Sequence, residues 1–400
     1  MSIHSFQTTV KTSIRNFSSC QALLRGIGSL DDQSPYETQK STSKLKLHVH
    51  QRTHESSRIG IIGVPFHKGQ SSSGVEEAPS ALREFGMVKQ MISIGHNVKD
   101  FGDIICENIG ERNDVPDKIR SLPDLACASH ALSSKVQDVM REHRKVLTIG
   151  GDHSIALGSV DGHIQAKNGE ICLLWVDAHA DLNTADTSDT GHMHGMPVSL
   201  LVKELADYWP YLPGLDWQKP TMSIKNLAYI GLRSVDHYER LIIEKYGVSA
   251  YGMEDIEKYG IHAVTTLALE RINPTGTKSL HVSFDIDALD TLEAPCTGTS
   301  VRGGMTLREG VHIMEIAHRT GWLGAVDMVE INPRLGNILQ VKTTLEAATH
   351  IIKAAFGFSR SGHVPQHIEK LPGYYAPILI EDKIVKREEP VAVPPLLKES

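Results

Sequence analysis

Six consecutive apolar residues, Ile171-Cys172-Leu173-Leu174-Trp175-Val176, run directly into Asp177-Ala178-His179-Ala180-Asp181. A strand apolar on both faces must be covered by protein on both sides, which a sheet with one wet face cannot provide. The same kind of run recurs along the chain. Candidate strands are Ile59–Val64, Val98–Phe101, Val146–Ile149, Cys172–Val176, Leu227–Ile230, Val248–Tyr251, Leu280–Asp285 and Ala325–Ile331. Helix-like stretches separate them, among them Ala78–Met91, His130–Glu142, Pro197–Leu205, Asp236–Lys245, Leu307–Arg319 and Leu345–Phe356. Alternating strands and helices predict an α/β protein with a mostly parallel central sheet of about eight strands, covered on both faces. In such a fold, function belongs at the carboxyl ends of the strands.

Chemistry-bearing residues fall at those ends. Alternate residues of an extended chain point to one side, so Asp177, His179 and Asp181 converge on one small volume. A solvated acidic loop is the bland alternative, but carboxylates buried against an apolar strand require a cation. After Val146–Ile149 comes Gly150-Gly151-Asp152-His153-Ser154, and Leu280–Phe284 leads into Asp285-Ile286-Asp287. Either motif alone is a weak signal; three strand ends loaded in this way are a specific one. His153, Asp177, His179, Asp181, Asp285 and Asp287 together offer four carboxylates, enough negative charge to balance two divalent cations. Two such cations roughly 3.5–4 Å apart can share one water and lower its pKa towards neutrality, making hydroxide available as a nucleophile. Oxygen-rich ligation without thiolate favours manganese (Mn2+) over zinc, with iron and cobalt also compatible with the imidazoles.

Composition limits the partners. The net charge of −7 comes with no dense basic patch, which argues against nucleic acid, and no window reaches the apolar length of a membrane span. Five cysteines, never in CxxC spacing, argue against a disulfide framework and against a thiolate zinc site, and so for an intracellular protein. Residues 1–57 form an N-terminal extension with no acidic residue before Asp31 and with Lys11, Arg15 and Arg25 among many Ser and Thr. That is the composition of a mitochondrial transit peptide, and Arg15-Asn16-Phe17-Ser18 resembles a matrix-protease cleavage context. A disordered extension on a cytoplasmic protein is the alternative. Residues 58–358 read as the catalytic domain and residues 359–400 as a proline-containing tail.

GGDHS at 150–154, DAHADLNT at 177–184, GHMHGMPVS at 191–199 and SFDIDALD at 283–290 resemble the ureohydrolase family, and within it the animal-type arginases. VPFHKGQSSSGVEEAP at 64–79, YIGLRSVD at 229–236, TGTSVRGGMTLREG at 297–310 and DMVEINP at 327–333 extend the resemblance over nearly all of residues 58–357. The resemblance implies a three-layer α/β/α fold, two Mn2+ per subunit, hydrolysis of L-arginine to L-ornithine and urea, and a homo-oligomer, most often a trimer. It also implies that Glu330 binds the guanidinium, with help from Thr299. His194, directly before Gly195, becomes the proton shuttle, with His192 the competing assignment; an unperturbed imidazole titrates near working pH.

For the amino-acid end of the substrate, Asn183, Ser188 and Thr190 are short-range donors to a carboxylate. Asp236 and Glu239, three apart at a helix start, can face one way and accept from an ammonium. Departures from the family pattern lie near the substrate: Ser188 and Thr190 exchange threonine and serine, Ser234 replaces an acid, Cys296 replaces a small residue, and Arg302 is unusual in its loop. A ureohydrolase acting on agmatine or another guanidino compound is the second reading. A non-catalytic binding protein of the same fold is the third, and it would be expected to have lost a metal ligand.

Overall fold

The protein is described by a computed structural model covering residues 56–106 and 119–360. The proposed transit peptide and the proline-containing tail therefore lie outside the described residues, apart from residues 56–57 and 359–360 at their inner edges. Among the described residues, eight strands form one sheet: β1 (Arg58–Gly63), β2 (Asn97–Asp103), β3 (Lys145–Ile149), β4 (Ile171–Val176), β5 (Leu227–Leu232), β6 (Ser249–Gly252), β7 (Ser279–Asp285) and β8 (Leu323–Val329). Their order is β2-β1-β3-β8-β7-β4-β5-β6, and every pairing is parallel.

Among the described residues, ten α-helices cover the sheet: α1 (Ala78–Glu84), α2 (Met87–Ser93), α3 (Leu122–Arg141), α4 (Ala156–Ala166), α5 (Pro197–Leu201), α6 (His237–Tyr246), α7 (Met253–Tyr259), α8 (Ile261–Ile272), α9 (Leu307–Arg319) and α10 (Ile338–Ala355). The period-2 alternation of a strand sorts β4 between two cores. Cys172, Leu174 and Val176 pack with α1, α2 and α7 to α10, whereas Ile171, Leu173 and Trp175 pack with α3 to α6. That division makes the three layers, and it explains why the strand must be apolar at every position.

Several helix boundaries differ from the sequence expectation, each for a local reason. Ala78–Met91 is two helices, because Gly86 adopts φ 88° and turns the chain between α1 and α2. The helix expected from His130 starts at Leu122, with Pro123 in its first turn, where a missing N–H costs nothing. The last helix starts at Ile338 rather than Leu345, because Asn337 and Gln340 form a capping box. One expectation is corrected: Cys106, just beyond β2, is disulfide-bonded to Cys127 of α3. The two cysteines are 21 residues apart, and a spacing of that length carries no pairing signal.

Candidate metal centre and adjoining residues

The four strands carrying the acidic and histidine motifs, β3, β8, β7 and β4, are neighbours at the middle of the sheet. Asp177 directly follows β4, Asp285 ends β7, Glu330 directly follows β8, and His153 follows the two glycines after β3. Gly151 is required there. A Cβ on it would lie 1.7 Å from the Phe66 carbonyl oxygen, which accepts from Asp152 N–H at 2.9 Å.

His153 Nδ1 lies 3.0 Å from Asp177 Oδ2, 3.2 Å from Asp181 Oδ2 and 3.1 Å from Asp285 Oδ2. His179 Nδ1 lies 3.4 Å from Asp177 Oδ1 and 3.1 Å from Asp287 Oδ2. Asp177 thus turns one oxygen to each imidazole. Among the described residues, two overlapping sets of ligand atoms have metal-site spacing, His153/Asp177/Asp181 and Asp177/His179/Asp287. All six expected ligands are gathered at or just beyond the carboxyl ends of β3, β7 and β4, along one edge of the sheet layer, and the four carboxylates are buried.

Hydrogen bonds fix the state of His153. Asp327, held below the usual carboxylate range by His281 and Ser159 despite its burial, is an anion and can only accept. It accepts from Ser283 Oγ at 3.2 Å, from Ser159 Oγ at 2.7 Å and from His281 Nε2 at 2.9 Å. With its proton so committed, Ser283 Oγ must accept the 2.9 Å bond from His153 Nε2–H. A neutral imidazole in that tautomer would turn a bare Nδ1 lone pair towards three carboxylates at 3.0–3.2 Å, so the contact holds only with a cation there, either a second proton on the ring or a metal ion. The donor set fits a metal ion. Trp175 braces the arrangement, stacking on the His153 ring at 3.9 Å and donating Nε1–H to Asp177 Oδ2 at 2.9 Å.

The titration behaviour of the metal-free box agrees. Burial and the neighbouring charge of Asp177 push Asp287 up to about 6. Burial and the same neighbour raise Asp181, and burial with Asp287 raises Asp285 well above its ordinary value. Burial opposes a charge on His153, yet Asp177, Asp181 and Asp285 raise it well above the ordinary imidazole range. Without a cation, protons must supply the missing positive charge.

Glu330 adjoins the box. It is buried, adopts φ 62°, accepts from His153 N–H at 2.9 Å through Oε1 and lies 3.5 Å from His194 Nδ1. Asp181, at φ 49°, is the other left-handed residue of the site; such backbone strain in two non-glycine residues is characteristic of functional positions. Burial opposes the Glu330 charge, but His194 and the His153 N–H hold it below the usual range. Burial likewise opposes a proton on His194, and Glu330 overrides it, raising the imidazole to about 9. Thr299 Oγ1 donates to Asp287 Oδ2 at 3.0 Å, which sets this hydroxyl beside the box.

The residues expected at the amino-acid end meet in the loops beyond β4 and β5. Asn183 Nδ2 donates to Asp236 Oδ2 at 2.9 Å, while Asn183 Oδ1 accepts from Thr187 Oγ1 at 2.9 Å. Ser188 Oγ accepts from Gly191 N–H at 3.1 Å and Thr190 Oγ1 from His192 N–H at 3.2 Å, so both hydroxyls curl the loop. Glu239 is turned inward, accepting from Leu182 N–H at 2.8 Å and Asp236 N–H at 2.9 Å. Its oxygens tie the first turn of α6 to the segment after the ligand strand. Sequence reasoning gave no role to Gln70, Asp152, Ser283 or Asp327. Only the alternation of Ser279, His281, Ser283 and Asp285 along β7 carried a readable signal, and only for Ser283.

The family model for the Arginase family matches residues 57–357. Arginase-1 of Sus scrofa is 40% identical over 321 residues, covering 80% of this chain and 99% of that protein. Mitochondrial Arginase-2 of Homo sapiens is 40% identical over 305 residues, covering 76% of this chain and 86% of that protein. The native structure of arginase from Bacillus caldovelox superposes with a TM-score of 0.69 at 32% identity, covering 76% of this chain and 99% of that one.

Proposed function

The chain belongs to the arginase family, and from that premise we propose that it hydrolyses L-arginine to L-ornithine and urea with two manganese ions held by His153, Asp177, His179, Asp181, Asp285 and Asp287. The observation that carries this reading is the juxtaposition of a buried box of four carboxylates and two imidazoles with a fifth buried carboxylate, Glu330, at its edge. When bound, the metal pair supplies hydroxide at neutral pH by lowering the pKa of water.

The chain's own residues account for the rest of the chemistry. Glu330 is kept ionised in a buried setting, where it attracts a planar cation and orients it over the box. Hydrolysis forms a carbon–oxygen bond to the oxygen of water and breaks the bond between the guanidinium carbon and the side-chain nitrogen, which departs with a proton. His194, 3.5 Å from Glu330 and protonated at neutral pH, is positioned to give that proton. Thr299 supports the guanidinium end from its place beside Asp287. Asn183, Ser188 and Thr190 receive the α-carboxylate and Asp236 the α-ammonium. Glu239 contributes by fixing Asp236 and Leu182.

We further propose residues 58–358 as the catalytic domain, a homotrimer as the assembly, and the mitochondrion as the location, on the composition of residues 1–57. The function is tested by urea release from arginine by manganese-loaded protein beside a chelated control. Equal release in the two samples, or none from the loaded protein, overturns it.

A further inference from the structure

The loop joining β1 to the short 3-10 turn Val75–Glu77 is bolted down on two sides of Glu330. On one side, Gly69 N–H donates to the buried Asp152 Oδ2 at 2.8 Å, and the Gly69 carbonyl accepts from His194 N–H at 3.0 Å. On the other, Asn332 Nδ2 donates to the Ser73 carbonyl at 3.0 Å. Gly74, at φ 118°, lets Asn332 come so close that a Cβ would lie 2.1 Å from its Oδ1. The anchors are Asp152, next to His153, His194 itself, and Asn332, two residues beyond Glu330. Between them the loop delivers one side chain to the site: Gln70 Nε2 lies 2.6 Å from Glu330 Oε2.

The orientation of that amide follows from its partner. Its oxygen turned to a carboxylate would set lone pair against lone pair, so the nitrogen must face Glu330. The amide oxygen instead lies against Gly298, where a Cβ would be 3.2 Å away, in the segment that carries Thr299. Glu330 is therefore gripped through both oxygens, Oε1 by His153 N–H at 2.9 Å and Oε2 by Gln70. Two donors on two oxygens fix the plane of the carboxylate, and a flat cation binds well only to a carboxylate whose plane matches its own.

The amide is also uncharged. A lysine or arginine here would neutralise Glu330 and remove the attraction for a cationic substrate, and a hydrocarbon would leave Oε2 without a partner. An amide orients the carboxylate and leaves its charge available.

We infer that Gln70 is a positioning residue for guanidinium recognition, acting through Glu330 by holding its carboxylate in the plane the substrate requires. The inference rests on the arginine-hydrolysing reading above. It is tested with the full chain, metal-loaded, as parent, Gln70→Leu and Gln70→Glu, measuring kcat and KM for arginine together with manganese content and thermal unfolding. The leucine keeps the bulk and loses the donor; the glutamate keeps the shape and faces Glu330 with a second carboxylate. A hydrogen bond to a charged group implies that Gln70→Leu lowers kcat/KM about tenfold to a hundredfold, mainly through KM. Gln70→Glu should be lower still, with manganese content and unfolding temperature held in both. Simple space-filling predicts the opposite order, because the glutamate is the closer shape. Gln70→Leu within twofold of the parent, or Gln70→Glu better than Gln70→Leu, overturns the inference. A parent that releases no urea from arginine overturns the underlying reading as well, and so is distinguishable from either.

Discussion

Replacing Ser283 by alanine should weaken manganese binding without dismantling the fold. Ser283 is buried on β7 and is the acceptor for His153 Nε2–H at 2.9 Å. In the metal-free protein the variant can adapt, because the imidazole can keep a single proton, on Nδ1 and turned towards Asp177, Asp181 and Asp285, all within 3.2 Å, and leave Nε2 bare. With a metal on Nδ1 that escape is closed, and the Nε2–H is left buried without a partner. An unsatisfied buried donor costs about 1–3 kcal/mol. The cost falls on the metal-bound state alone, so it appears as an affinity loss of about tenfold to a hundredfold, the range found for the outer partners of metal-ligating histidines. Calorimetric titration of metal-free parent and variant with manganese reads this directly, with circular dichroism as the check on folding. Urea release at saturating manganese should recover most of the parent's rate. An affinity within twofold of the parent would refute the tautomer assignment for His153, and with it the argument that the lone pair calls for a cation.

Two further outcomes are expected. Burial and Asp177 raise Asp287 from 3.8 to about 6, and burial with neighbouring charge raises Asp181 and Asp285 too. A carboxyl raised in the folded state contributes stability below its unfolded pKa and loses it as pH rises through the folded value; Asp177, held low mainly by His153 and His179 against its burial, acts in the opposite sense. The metal-free protein should therefore lose Tm between about pH 4 and 6, while the gain in Tm from added manganese grows over the same range; a gain that shrinks as pH rises would contradict this. Residues 1–57 fused to a fluorescent reporter should direct it to mitochondria and be cleaved, whereas a diffuse, uncleaved reporter would favour the cytoplasmic alternative.

Much of the site was readable because its acids and imidazoles directly follow apolar strands, and strand ends in a parallel sheet all face one way. The extended alternation expected of them does not hold: the chain bends after Val176, Asp181 adopts φ 49°, and Asp287 lies in the 3-10 turn Ile286–Ala288, so turns rather than strand periodicity bring the ligands together. The sheet was readable from its apolar runs, since β4 and β5 are buried at every position. What escaped the sequence are pairings between distant segments. Gln70 reaches a carboxylate 260 residues away, and Cys106 meets Cys127 because α3 begins earlier than its apolar pattern suggests. Glu239 looked like a ligand for an ammonium because three-residue spacing puts it on the same helical face as Asp236. The capping box instead turns it inward, which helix spacing alone cannot distinguish.

On the proposed function, the residues beside the metal box recognise arginine as an amino acid as well as a guanidinium. The most direct measurement is kcat/KM of the manganese-loaded parent for arginine and for agmatine, which lacks only the α-carboxylate, under one set of conditions and with metal content determined on the same sample. Loss of even two of the three hydrogen bonds from Asn183, Ser188 and Thr190 to the carboxylate predicts agmatine about a hundredfold or more below arginine. Agmatine equal to or better than arginine would contradict the account and assign the site to a decarboxylated guanidino substrate.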